Sequence, residues 1–400
     1  MTAVRVPDVL LRISPKMLER YNSVVVAGAG RGRAVPLPYV FTRADASPCA
    51  TSWGKDGVLR LAAASKLRAD DYGPYYEQGL VDALGQPLHG IRLEGTRTNV
   101  VLWNRDLTNA AWTKTNVSAA KDQIGVDGVA ASASKITASA GNGTCLQAIT
   151  LGSSARAQSA YVKRVTGSGV VEMTMDNGGT WTAVTVTAAW TRVTIPTQTI
   201  ANPTVGFRIV TNGDAIAVDF VQNENGVFPS SPIAVTTVAV VRAADALTVP
   251  FNFGPVDKTI LYRFARPVWA DAAGDLGINV ELLTLGTVND PNARVQLYAQ
   301  QGARTFTGRF GTSASQASAS IPSGAELAFT TQCKNASTLP AVAVDVGSGL
   351  TAFDTGAPAF TAYANQIATF GYSTGQPYIV LTDVLVPRGL FTRAEMLAIP

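Results

Sequence analysis

From about Ile124 onward, apolar and polar residues alternate in short runs that are broken by clusters of Gly, Asn, Asp and Ser. In Val170 to Met175, and again in Thr182 to Thr187, apolar positions alternate with polar ones, which is the period of a strand with one buried face. Asp176, Asn177, Gly178 and Gly179 lie between these runs and suit a tight reversal, so the pair is predicted to form a hairpin. No amphipathic helical pattern lasting three turns occurs in this region. Residues 251 to 400 repeat the theme in runs such as TILYRFARPVW, ARVQLYAQ and PYIVLTDVLVP, each of strand length and bounded by turn residues. One clear helix signal is terminal: Thr392 is the predicted N-cap, Glu395 completes a capping box, and Met396 and Leu397 form the apolar face. The pattern predicts an all-β fold of two antiparallel β-sandwiches.

The first hundred residues read differently. Ser14 and Pro15 are suited to start a short helix running to about Tyr21, and the chain that follows VVVAGAGRGRAVPLPYVF shows no clear period. Residues 1–38 are therefore read as an irregular N-terminal arm and 39–98 as a hairpin-rich wrap. The sandwiches are expected at 99–247 and 248–400, joined through Ala243 to Pro255.

Charge sharpens this division. Lys, Arg, Asp and Glu make up 15% of the chain, against roughly 25% in an ordinary domain. Twenty-two charged residues fall in the first hundred positions and 38 in the other 300. A charge-poor surface suits a homo-oligomer, because interface centres exclude charge; a neutral monomer rich in exposed Thr and Ser is the competing explanation. The formal net charge of +4 comes without long basic runs, so nucleic acid is not an expected partner. No apolar stretch is long enough for a membrane helix, and MTAVRVPDVLLRISPKM lacks the apolar core of a signal peptide. The expectation is synthesis in a host cytoplasm without a signal peptide, no membrane insertion, and release by lysis if the protein works outside the cell.

Candidate chemistry is sparse. VVVAGAGRGRA places Arg33 where a dinucleotide fingerprint needs its third glycine, and Pro36 and Pro38 stand where its helix would begin. Ser52 and Lys55 match a Ser-x-x-Lys nucleophile pattern, but its partner motifs are missing. His89 is the sole histidine, so a multi-histidine metal site is impossible; Cys49, Cys145 and Cys333 fit no metal or redox spacing. No catalytic residue, cofactor or transition metal is expected, and Asp219 is retained only as a loop calcium candidate. Of six tryptophans, Trp181 beside Asn177 is the candidate platform for a sugar ring, while Trp190, ahead of an alternating strand, is expected in the core.

Three ordered segments carry a resemblance. Tyr39-Val-Phe-Thr-Arg-Ala-Asp45, Gly90-Ile-Arg-Leu-Glu-Gly-Thr-Arg-Thr-Asn99 and Asn104-Arg-Asp-Leu-Thr-Asn-Ala-Ala-Trp-Thr-Lys114 resemble a widespread family of phage virion proteins. In that family these segments open a carbohydrate-binding-module-like jelly roll. The jelly roll's closing strand and linker are matched here by Val221 to Ile233 and Val241-Arg-Ala-Ala-Asp245. The tail Asp383 to Leu397 is similar to the closing strand and helix of laminin-G or concanavalin-like sandwiches. The resemblance implies a jelly roll followed by a laminin-G/concanavalin-like sandwich, serving as a fibre, tail-tip or capsid-decorating appendage.

The implied partners are other virion proteins of the capsid, tail or portal-proximal region, with host-surface glycans as candidate contacts and a trimer favoured by analogy with phage fibres. Docking is assigned to the arm, through Val9, Leu10, Leu11, Arg12, Arg31 and Arg33, because a short irregular segment cannot bury its own apolar residues. Two alternatives stay open. A dedicated receptor-binding lectin would expose aromatics on one concave sheet face. A polysaccharide depolymerase would need clustered carboxylates, which the sequence lacks.

Overall fold

The computed structural model describes residues 90–250 without interruption, together with shorter stretches between 9 and 70 and between 258 and 397. It is nearly all β, with one short helix, Arg393–Leu397, among the described residues.

The central sandwich consists of ten strands: β1 (Thr113–Thr115), β2 (Val117–Gln123), β3 (Ala133–Ala138), β4 (Gly143–Ala148), β5 (Ser154–Thr166), β6 (Val171–Thr174), β7 (Thr182–Val184), β8 (Thr191–Ile200), β9 (Thr204–Ile209) and β10 (Ala215–Asn225). They form two antiparallel five-stranded sheets, ordered β1-β4-β9-β6-β7 and β2-β3-β10-β5-β8. Consecutive strands change sheet repeatedly, as in a jelly roll.

Alternation in the sequence explains the core. Val171 and Met173 on β6, with Val205, Phe207 and Ile209 on β9, turn inward against Val162, Ile216 and Val218 of the other sheet. Glu172 and Arg208, at the intervening positions, form an ion pair on the outer face. Trp112 is the fully buried tryptophan of this core, 1% exposed, and its Nε1 donates to the Trp103 carbonyl at 3.2 Å. Trp190 is only half-buried, with Lys163 Nζ 4.8 Å from its ring centre. The expectation that Trp190 belongs to the core is thus corrected: it precedes β8 in a turn, where one side of its ring meets a surface lysine.

The predicted hairpin joins β6 and β7. Asn177 and Gly178 hold φ of 59° and 80°, which the reversal requires. Gly206, in the middle of β9, has a different reason for being glycine: an added Cβ would collide with the carbonyl oxygen of Cys145 on β4.

Strands from the beginning and end of the chain build two further sheets. A ten-stranded sheet runs Leu350–Thr351, Val342–Asp345, Glu326–Cys333, Lys258–Ala265, Ile379–Pro387, Val9–Ile13, Val24–Ala27 and Ala34–Leu37, with Gly90–Leu93 also on the Ile379–Pro387 strand and Ala69–Asp70 beyond it. A seven-stranded sheet runs Gln316–Ser320, Thr305–Phe310, Arg294–Gln300, Val280–Gly286, Ile367–Phe370, Ala246–Pro250 and Val40–Thr42.

The irregular-arm expectation does not hold for residues 9–13. Val9 pairs with Pro387, Leu11 with Val386 and Arg12 with Leu385. The segment VLLRI is rich in strand-forming residues, and it pairs with Val24–Ala27 on one side and with a strand at the far end of the sequence on the other. Val9, Leu10, Leu11 and Arg12 are therefore sheet positions rather than parts of a free docking arm. Arg31 and Arg33 lie outside the described residues, as does the helix expected at Ser14 to Tyr21.

Candidate functional site

The segments that carry the family resemblance meet in one buried polar seam. Arg97–Asn99 pairs with Val240–Arg242, which brings the linker after the central sandwich beside the strand that precedes it. Arg242 Nη1 donates to Glu94 Oε2 at 2.6 Å and to Ser231 Oγ at 2.5 Å, while its Nη2 donates to the Gly95 carbonyl at 2.6 Å. Glu94 also accepts from the Ser231 amide at 2.8 Å and hydroxyl at 2.5 Å. Glu94 and Asp245 exchange a second pair of bonds: the Glu94 amide reaches Asp245 Oδ2, and the Asp245 amide reaches the Glu94 carbonyl, both at 2.9 Å.

Arg43 extends the seam, contacting Asp45 through Nε and Asp245 Oδ1 through Nη1 at 3.5 Å. Asp45 in turn accepts the Ala243 amide at 2.8 Å. Glu94, Arg242 and Asp245 are all 0% exposed. Charges removed from water this completely persist only when opposite charge and hydrogen bonds saturate them. Here two guanidinium groups and three carboxylates pair with one another and with backbone N–H groups, and of the Arg242 nitrogens only Nε is left without a hydrogen bond.

The adjacent motif residues act as clamps. Asn99 and Asn104 each donate through Nδ2 to the carbonyls of Val221 and Ile233, and so bridge β10 to the segment after it. Glu224 accepts from the Ser230 amide and hydroxyl and from Gln222 Nε2. Lys114 Nζ donates to the carbonyls of Leu107, Thr108, Asn109 and Trp112 at 2.7 to 3.2 Å, closing the turn on which Trp112 enters the core.

The seam joins segments that are distant in sequence. Two described thiols are buried, Cys49 beside Ile233 and Val235 and Cys145 in the sandwich core. Burial, reinforced by Asp45, pushes the Cys49 thiol up to about 11, and burial pushes Cys145 up to about 12, so neither supplies a thiolate near neutral pH.

Asp219 is corrected as a calcium candidate. Its side chain is buried; Oδ1 accepts from Arg105 Nε at 2.7 Å, and Oδ2 from Arg105 Nη2 at 3.1 Å and the Val126 amide at 3.0 Å. The Phe220 amide adds a bond to Oδ1 at 3.0 Å. Burial raises the Asp219 carboxyl above its ordinary value, but four donors aimed at two oxygens favour the carboxylate form. A guanidinium occupies the place a cation would take. Among the described residues, no cluster of three or more His, Cys, Asp or Glu side chains could hold a metal ion.

Asn177 and Trp181 come together on the β6–β7 connection. Asn177 is exposed and Trp181 half-buried. Arg208, held by Glu172 at 2.5 Å, lies 4.5 Å from the Trp181 ring centre and covers one face. Gly178 lies against the nitrogen-bearing edge, where an added Cβ would come within 2.8 Å of Nε1. The turn itself is tied down at Asp176. Burial opposes ionisation there, but the Thr180 amide and the Thr174 hydroxyl outweigh it and hold the carboxyl below its ordinary value. The arginine cap, which comes from a strand nearly 30 residues away, was not visible in the sequence.

No protein-family model matches the chain, and no curated protein does. Among solved structures it is similar to an endo-1,3-β-glucanase from Streptomyces sioyaensis, with 11% identity over 70% of this chain and 96% of that one and a TM-score of 0.27. It is also similar to domains LG4-5 of the mouse laminin α1 chain, with 10% identity over 64% of this chain and 89% of that one and a TM-score of 0.23. At such scores the description of the fold rests on the strand pairing given above.

Proposed function

We propose that this chain is a non-enzymatic structural component of a bacteriophage virion, an all-β fibre, tail-tip or capsid-decorating appendage. One observation carries the reading. The ordered residues that resemble phage virion proteins, Arg43, Asp45, Glu94, Asn99, Asn104, Ser231, Arg242 and Asp245, are the ones spent on the buried seam and its clamps. Residues used this way hold distant segments in fixed register, which is what a load-bearing particle component needs and what a catalytic centre does not.

In this reading the partners are other virion proteins, and the chain is made in the host cytoplasm and assembles as a homo-oligomer, a trimer by analogy with fibres. Contact with host-surface glycans is secondary. The arginine lid on Trp181 removes one stacking face from the best aromatic candidate, and that favours an architectural role over a dedicated lectin. The test is to band particles from a lysate on a density gradient, wash them in high salt and identify their proteins by mass spectrometry. The chain should stay with the particles at a fixed copy number. Its recovery only in the soluble fraction would refute the proposal.

A further inference from the structure

Inside the central sandwich, one group of polar side chains has been left out of the seam. Gln158 on β5 pairs in register with Asn223 on β10 and with Ile195 on β8. Cross-strand partners share a sheet face, and Ile195, with Ala160 two residues further along β5, belongs to the hydrophobic core. Gln158 and Asn223 therefore point between the sheets, where both are fully buried.

Arg156, two residues back on the same face, is 3% exposed, and its Nη1 donates to Asn223 Oδ1 at 3.2 Å. The remaining groups are unmatched. Arg156 Nε, both side-chain atoms of Gln158 and Asn223 Nδ2 have no hydrogen-bond partner among the described residues. Nor does any described carboxylate form an ion pair with Arg156, in contrast to Arg43, Arg105 and Arg242, each of which has at least one.

We propose that Arg156, Gln158 and Asn223 form an internal site for a small anion of the carboxylate class. The unmatched atoms are mostly N–H donors around a positive charge, which describes the complement of a carboxylate. Water could satisfy the two amides, but it cannot neutralise a buried guanidinium, and an arginine does not shed its proton to escape. Burial does lower the affinity of Arg156 for its proton, as expected of a cation without a counter-charge.

The cluster lies close to the end of its strand pair. Arg156 pairs in register with Asn225, which is exposed and accepts a hydrogen bond from Ser154 Oγ, so solvent lies within one pleat of the cluster. The carboxylate can be a free small acid or one borne on a uronic acid residue; both present the same two oxygens.

The experiment uses the full chain in a carboxylate-free buffer, titrated separately with sodium acetate and sodium glucuronate against sodium chloride at matched ionic strength. Thermal unfolding should show saturable stabilisation by a carboxylate beyond that of chloride. At ten times the dissociation constant the folding equilibrium shifts about eleven-fold. In Arg156→Met that dependence should vanish. A stronger effect of glucuronate than of acetate identifies a sugar-borne carboxylate, and the reverse identifies a small free acid.

If Arg156→Met does not fold, the Nε–H resonance of Arg156 in ¹⁵N-labelled wild-type protein gives the same answer by shifting saturably with the carboxylate. Equal responses to carboxylate and chloride, a carboxylate effect that persists in Arg156→Met, or an Nε–H signal that does not move would each overturn the proposal.

Discussion

Replacing Arg242 with methionine removes one partner from a fully buried ion pair of the seam and leaves an apolar side chain of similar length. In the wild type, Arg242 donates to Glu94, Ser231 and Gly95, and neither charge of the Glu94–Arg242 pair is exposed to solvent. In Arg242→Met, Glu94 keeps its bonds from Ser231 but remains an ionised group in the interior, and the Gly95 carbonyl loses a donor. Breaking one side of such a pair costs about 3–5 kcal/mol. Removing both sides at once, in Glu94→Met with Arg242→Met, should cost much less than the two single changes together, because no uncompensated charge remains. Urea unfolding followed by far-UV circular dichroism and tryptophan fluorescence provides the measurement. With a slope of about 2 kcal/mol per molar urea, the single substitution should lower the midpoint of the sandwich transition by roughly 2 M. A loss below about 1 kcal/mol for Arg242→Met, or strictly additive losses in the double substitution, would show that the seam does not hold the segments together and would remove the main support for an architectural role.

Three further outcomes are expected. Trp112→Ala should lower stability by about 3–5 kcal/mol, and Trp190→Ala by much less, as read from melting curves; equal effects would contradict the burial contrast between them. Asp176 has a folded-state carboxyl held below its ordinary 3.8, so its contribution is present above that value and is lost as pH falls through the lower folded one. Asp176→Asn should therefore flatten the acid limb of the stability profile below about pH 4, and an unchanged limb would count against the turn's hydrogen bonds. Finally, Cys49 and Cys145 should resist iodoacetamide in the native protein at pH 8 and react in urea, as peptide mass spectrometry would register; native labelling at either position would contradict their burial.

Local features were legible in the sequence. The alternation around Val171 and Met173 predicted their strand and its inward face, Asn177-Gly178 predicted the reversal, and Thr392 with Glu395 predicted the helix that the structure places at Arg393–Leu397. Features that depend on partners far away in sequence were not. Nothing near Val9–Ile13 signals a pairing with Val384 to Pro387, so an apolar run whose second neighbour lies at the far end of the chain read as an arm in search of one. Asp219 looked like an available oxygen ligand because Arg105 lies 114 residues earlier. The motif residues were visible in the sequence, but only the fold shows what they do: they are charges and amides that meet one another once buried.

The pairing of residues 9–13 with residues 384–387 has a consequence for the order in which the molecule is made. A ribosome delivers roughly 5–20 residues each second, so the strand at residues 9–13, which finds Val24–Ala27 early, waits some tens of seconds for its second neighbour to be translated. All ten strands of the central sandwich lie between residues 113 and 225 and are available well before that. The middle of this protein can mature while the strands at 9–13, 24–27 and 34–37 still lack the rest of their sheet. During that interval one edge of the VLLRI strand stands open while the other can pair with Val24–Ala27, so the speed at which translation is completed becomes a determinant of how much of the product reaches the full native pairing.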